Sequence, residues 1–261
     1  MAELFRNLRW IHIAAGSLGL LAFWIPAIAK KGGRVHVKAG WFYVICMSVV
    51  VATAFSLSGL AFAWPLRVRT FAHALSAEEA ARFVRTSREV AFFLAYLGGI
   101  TLAAGWQGVR VLQTRRAPTT LRSPFTLALN VAVVLAALGC LAMGLLLHNT
   151  VFLVMSPIGF LVSGGNLSYL LRGPQTKMHW WYEHLSSMIG TGIAGYTAFL
   201  VFGGSRLFPA LAHTQFHVLF WIMPTIIGVA AISFTTAYYK RKFHEDGRAP
   251  KQPNTQINAA V

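Results

Sequence analysis

Residues 124–171 read PFTLALNVAVVLAALGCLAMGLLLHNTVFLVMSPIGFLVSGGNLSYLL and contain no Asp, Glu, Lys or Arg. A bilayer core about 30 Å thick takes roughly 20 apolar residues in helical form. The stretch therefore holds two spans, 124–148 and 150–171, joined at His148-Asn149. Outward from it, five further runs meet the same requirement, at 7–29, 39–63, 90–111, 181–203 and 215–239. The expected fold is an all-α integral membrane protein with seven transmembrane helices. Residues 1–240 form one transmembrane domain, and the polar, Pro/Asn/Gln-rich residues 241–261 form a disordered tail. A composition 56% hydrophobic and 11% charged, with mean hydropathy +0.57, suits a lipid-solvated chain. The alternating ten-residue strands of an outer-membrane barrel are missing.

The net charge of +16 does not imply nucleic acid, because the basic residues cluster in loops. With seven spans, 15 of the 23 Lys+Arg share one side, among them Lys30, Lys31, Arg34, Arg110, Arg115, Arg122, Arg172, Lys177 and Lys240. The positive-inside rule then puts the C-terminus in the cytoplasm and the N-terminus outside, in a bacterial inner membrane. Trp10, Trp64 and Trp221 fall near the outer interface, and Trp41, Trp106, Trp180, Trp181, Tyr238 and Tyr239 near the inner one. The exception is the outer segment 65–89, which carries five Arg. Within it Ser76-Ala-Glu-Glu79 has the capping-box form, so a helix is expected to start there and run outside the membrane before the third span. Span one is too long for a removable signal and is expected to stay in the mature protein.

Cys46 and Cys140 lie in different spans and offer neither a disulfide framework nor a CxxC motif. Ser186, Gly190 and Ala194 form a small-residue stripe that lets span six approach a neighbour. Pro157 and Pro224 interrupt spans five and seven and free backbone carbonyls that a side chain or water must satisfy. P-loop and dinucleotide fingerprints are absent, and span seven has no Lys for a retinal Schiff base.

Seven of the nine histidines sit at or near span ends, with few acids to pair them. His36, His179 and His184 fall at the inner level, and His12, His148, His213 and His217 at the outer one. Two such layers resemble a di-haem arrangement, in which histidines from different helices face one cavity and small residues admit the flat macrocycle. His12-x3-Gly16 and His36-x3-Gly40 each place a glycine one turn from a histidine on the same face. Nine His and 23 Gly in 261 residues give about one such pair by chance. On this reading His36 and His184 ligate an inner b-type haem, and His12 with His217 or His148 an outer one. The electron partner is a quinone or another redox protein. An alternative is a zinc or copper site built on His213-x3-His217 with His12 and His148, since histidines at i and i+4 share a helix face. A third reading is a cofactor-free transporter, receptor or assembly factor. Glu183 is the one carboxylate expected in a helix turn facing the membrane. It needs either a salt bridge to an inner basic residue or a proton or ligand contact, and as a neighbour of His184 it cannot share that residue's face.

The stretch IHIAAGSLGLLAFWIPAIAKKGGRVHVKAGWFYV, with His12, Gly16, His36, Gly40 and Tyr43, resembles a functionally uncharacterised bacterial multipass membrane family. That family's pattern is His-x3-Gly, a basic loop, then His-x3-Gly-x2-Tyr. WWYEHLSSMIGTGIAGYTAFLVFG, with His184 and Met188, looks like the group's C-terminal portion. Together the two stretches cover about a quarter of the chain, and Asn166 stands where the pattern suggests an acid. The resemblance implies a topology and no reaction. The His-x3-Gly opening of span two is also similar to helices of b561-type cytochromes and ferric reductases, and HTQFH to the zinc-bearing haemolysin-III-like group.

Overall fold

The computed structural model describes residues 1–71, 73–204 and 217–246. Among these, seven helices are long and apolar enough to cross a membrane, and no strand occurs. They are α1 (Ala2–Ile28), α2 (Arg34–Ala63), α3 (Ala77–Gln113), α4 (Pro124–Leu146), α5 (Thr150–Arg172), α6 (His179–Ala198) and α7 (His217–Lys242). Side chains such as Leu161 and Phe234, 75% and 77% exposed, make an outer surface that suits lipid and not water. The protein is a multi-pass membrane protein. The two ends are named here by their charge, the basic end being the one that holds the α1–α2 turn and the start of α6.

The helix boundaries follow from local chemistry. Ser76 caps α3, its hydroxyl accepting from the Glu79 N–H at 3.2 Å while the Glu79 carboxylate accepts from the Ser76 N–H at 2.8 Å. From there α3 runs unbroken to Gln113, so the expected outer helix and third span are one element of 37 residues. Pro124 sits at the start of α4, where its missing N–H costs nothing. His148 adopts φ 51° in the tight turn before α5, whose first N–H groups donate to the Asn149 side chain. The sixth span changes from α-helix to a π segment at Phe199–Gly204. Residues 215 and 216 of the expected seventh span lie outside the described residues.

Helix α3 is the centre of the bundle. On one side α1, α2, α3 and α6 close a ring, α1 against α2, α2 against α3, α3 against α6 and α6 against α1. On the other, α4 and α5 pair with each other and both pack on α3; α7 lies against α6. The approach of α6 to α1 is made at Gly192 and Gly195, where a Cβ would meet Phe23 ring carbons at 2.5 Å and Leu20 at 3.0 Å. This differs from the expected Ser186/Gly190/Ala194 stripe, for no neighbouring atom comes within 4 Å of a Cβ placed on Gly190. Two residues along a helix turn the face by about 200°.

Pro157 shows how the α4–α5 side settles its polar groups. The Ser156 hydroxyl donates to the Leu153 carbonyl that the proline leaves without an N–H (3.1 Å). The Tyr96 hydroxyl of α3 inserts into the α5 ladder, 3.0 Å from the Met155 carbonyl and 2.9 Å from the Ser156 carbonyl while accepting from the Gly159 N–H at 2.9 Å. About two helical turns further, Asn166 donates to Asn130 at 2.9 Å, and Asn130 to the Thr126 carbonyl at 2.8 Å.

Candidate functional site

The basic end gathers histidines from two helices that face each other across the four-helix ring. His36 lies in the first turn of α2, and its Nδ1 is 2.9 Å from the Pro26 carbonyl. That carbonyl is in the last turn of α1, where helical acceptors lack intrahelical partners. His184 lies in the second turn of α6, its Nδ1 2.8 Å from the Gly108 carbonyl of α3. Carbonyls only accept, so both rings carry their proton on Nδ1 and keep the Nε2 lone pair in the neutral state. The two ring centres stand 6.4 Å apart at an interplanar angle of 69°.

Gly108 is what admits His184. A Cβ there would sit 3.0 Å from both Met188 Sδ and Ser187 Cβ, so a larger residue would push α6 away. One layer from the histidines, Tyr43 meets Thr191 at 2.8 Å, again bridging α2 and α6. Thr191 donates its proton to the Met188 carbonyl, so Tyr43 donates to Thr191. Ala22, Tyr43 and Met47 form a buried apolar plug with Phe23 and Met188 packed against it. Beside Gly40, one turn from His36, no neighbouring atom approaches a Cβ position within 4 Å.

Lys31, in the α1–α2 turn, donates to the Pro26 and Ala27 carbonyls at the negative end of α1. Burial pushes its pKa below the ordinary lysine value. Lys31 and His36 both lie close enough to His184 to interact with it electrostatically.

Glu183 points to the other flank of α3, as its adjacency to His184 requires. It accepts from Gln107 Nε2 at 3.3 Å and lies 3.7 Å from His179 Nε2. No Lys or Arg among the described residues comes within 4 Å, so the expected salt bridge to a basic side chain is not formed there. Gln107 is fully buried, and its Oε1 has no partner among the described residues.

The outer layer is arranged differently. His12 faces α2, its Nδ1 2.9 Å from Thr53 Oγ1 and 3.1 Å from the Val50 carbonyl. Gly16 packs on Val50 at an ordinary 3.7 Å. His148 is exposed in the α4–α5 turn. His217 opens α7, and His213 lies outside the described residues. Among the described residues no three His, Cys, Asp or Glu side chains are placed to hold a metal ion.

Sequence reasoning missed Gln107, Gly108 and Glu245. Gln107 announces itself as an uncharged polar residue inside an apolar run, whereas Gly108 carries no local signal. Helix α7 continues to Lys242, past the point where the sequence suggests a tail. Glu245 then accepts from the Thr176 hydroxyl (2.8 Å), the Met178 N–H (2.9 Å) and the Tyr182 hydroxyl (2.9 Å), capping the start of α6. Burial acts to raise its pKa, but these hydrogen bonds outweigh it and hold the carboxyl below the ordinary value. No family model, no curated protein and no solved structure matches this chain.

Proposed function

We propose that the protein is a membrane redox protein that holds a b-type haem between His36 and His184. The pairing of these two rings carries the reading. Imidazoles ligating opposite faces of one iron, each nitrogen about 2 Å from the metal and each ring centre about 1 Å beyond it, stand roughly 6 Å apart. The observed separation is 6.4 Å. Ligand histidines also give their second N–H to a carbonyl or carboxylate, which fixes the tautomer; here the acceptors are Pro26 and Gly108. Two side chains suffice for a haem, whose macrocycle brings four nitrogens of its own, whereas a structural zinc takes four ligands.

When bound, the haem supplies one-electron transfer. The chain's own residues hold and tune it. Lys31 places a positive charge at this end, which favours the form carrying the extra electron. Tyr43, Met47, Phe23 and Met188 keep water out of the bundle beyond the ligands. The basic end faces the cytoplasm of a bacterial inner membrane, following the positive-inside rule, and the electron partner is a quinone or a second redox protein.

Protein purified from cells supplied with ample haem is expected to show a Soret band and about one iron per chain. His36→Ala and His184→Ala each remove both signals. Absence of the band in the parent protein, or its persistence in both variants, overturns the reading. Stoichiometric copper or zinc lost on the same substitutions would assign the pair to a metal ion instead.

A further inference from the structure

At the opposite end, an open hollow of about 550 Å³ lies between the end of α2, the second to fifth turns of α3 and the last turn of α4. Its wall is apolar, formed by Phe62, Val84, Phe92 and Met143, and its rim carries Arg85, Arg88 and Glu89. Arg88 is held in place, its Nε donating to the Phe62 carbonyl at 3.2 Å and its guanidinium lying 5.6 Å from the centre of the Phe62 ring. Its two terminal amino groups have no partner among the described residues. Arg85 has neither a hydrogen bond nor an ion pair among the described residues, and Glu89 lies within 4 Å of no Lys or Arg there. Two guanidiniums thus face one carboxylate, leaving a positive rim above an apolar wall.

The position of the hollow sets its chemistry. The apolar run of α2 ends at Ala63 with Trp64 beside it, while α3 begins at Ala77, well before its own apolar run. The hollow therefore sits where the hydrocarbon region meets the headgroups. Arg67, Arg69, Arg82, Arg85 and Arg88 all belong to this segment, and such an accumulation runs against the charge bias of the rest of the chain. A guanidinium fork matches a phosphate bidentately.

We propose that this hollow binds an anionic phospholipid, with Arg85 and Arg88 on the phosphate and one acyl chain along Phe62, Phe92 and Met143. The site is independent of the histidine pair. Its test uses the full-length protein in detergent, titrated with phosphatidylglycerol, with zwitterionic phosphatidylcholine, with inorganic phosphate and with an uncharged quinone, each read by native mass spectrometry and by thermal protection. Phosphatidylglycerol is expected to bind most tightly and to protect. Arg85→Gln should weaken that binding about tenfold, the loss of a charge-assisted hydrogen bond, and Arg85→Lys should weaken it less. Arg85 is exposed and makes no hydrogen bond or ion pair among the described residues, so this variant is expected to fold even where Arg88→Gln does not. Equal binding of the two phospholipids overturns the proposal, as does unchanged phosphatidylglycerol affinity in Arg85→Gln. It fails equally if inorganic phosphate alone gives the full protection, or if the quinone protects and Arg85→Gln has no effect on it.

Discussion

Named polar groups on the two sides of α3 differ in how much of their hydrogen-bonding capacity the fold uses. Toward α4 and α5, Tyr96, Ser156, Asn130 and Asn166 each meet a main-chain or amide partner on a neighbouring turn or helix, and their hydrogen bonds join helices or mend the break at Pro157. Toward α2 and α6, His36 and His184 use one ring nitrogen for a carbonyl and keep the other as a lone pair. A polar side chain that joins helices is satisfied by the fold. One that keeps a second ring nitrogen as a lone pair has an acceptor or ligand capacity that the described residues leave unused. On the proposed reading the difference separates polar groups that the fold uses up from polar groups that it leaves for a ligand.

The largest test of this contrast is spectral. His184→Ala should abolish the Soret band, whereas Asn166→Leu should leave it intact and change only stability, by about 1 kcal/mol for the interhelical bonds to Asn130 and the Ala103 carbonyl. An unchanged band in His184→Ala, or a band lost in Asn166→Leu, breaks the distinction. Next is Gly159→Ala, which places a Cβ 2.6 Å from Tyr96 Oη. Overpacking there should cost about 3 kcal/mol, read by thermal unfolding in detergent, with no effect on the spectrum. Tyr96→Phe should cost about 2 kcal/mol, because the Gly159 N–H and the α5 carbonyls lose their partner while buried.

The smallest effect belongs to Glu245. Its carboxyl titrates below the ordinary value of 4.5, so its contribution is fully present above that pH and is lost as the pH falls through the lower folded value. Protection of the α6 start against hydrogen exchange should be the same at pH 7 and pH 5.5 and should decline only under more acidic conditions. Glu245→Gln should show the weaker protection at every pH. Protection that changes between pH 7 and 5.5 in the parent, but not in Glu245→Gln, would contradict the assignment.

The inner histidine level was legible in the sequence because hydropathy places span ends, and span ends place His36 and His184 at one height. The outer level reads the same way, yet His12 and His148 are not brought together. Height along the bilayer normal is a one-dimensional property, and two residues at one height meet only if their helices are neighbours or face each other across a ring. Glu183 is a second case. Its turn away from His184 follows from helical geometry, whereas Gln107 as its partner depends on how α3 is rotated.

The sequence by itself determined the seven spans, the start of α3 at its capping box, the basic end, and the different faces of Glu183 and His184. These are local properties, set by hydrophobic runs and a 3.6-residue period. Only the tertiary structure decided that α2 and α6 oppose each other across a ring. The same holds for the missing side chain at Gly108, which gives His184 room to reach α3, and for Tyr96, whose hydroxyl inserts into the α5 ladder beside Pro157. Which helices pack together depends on the fit of small and large side chains across them, and in lipid no hydrophobic drive between helices writes that fit into a hydropathy pattern.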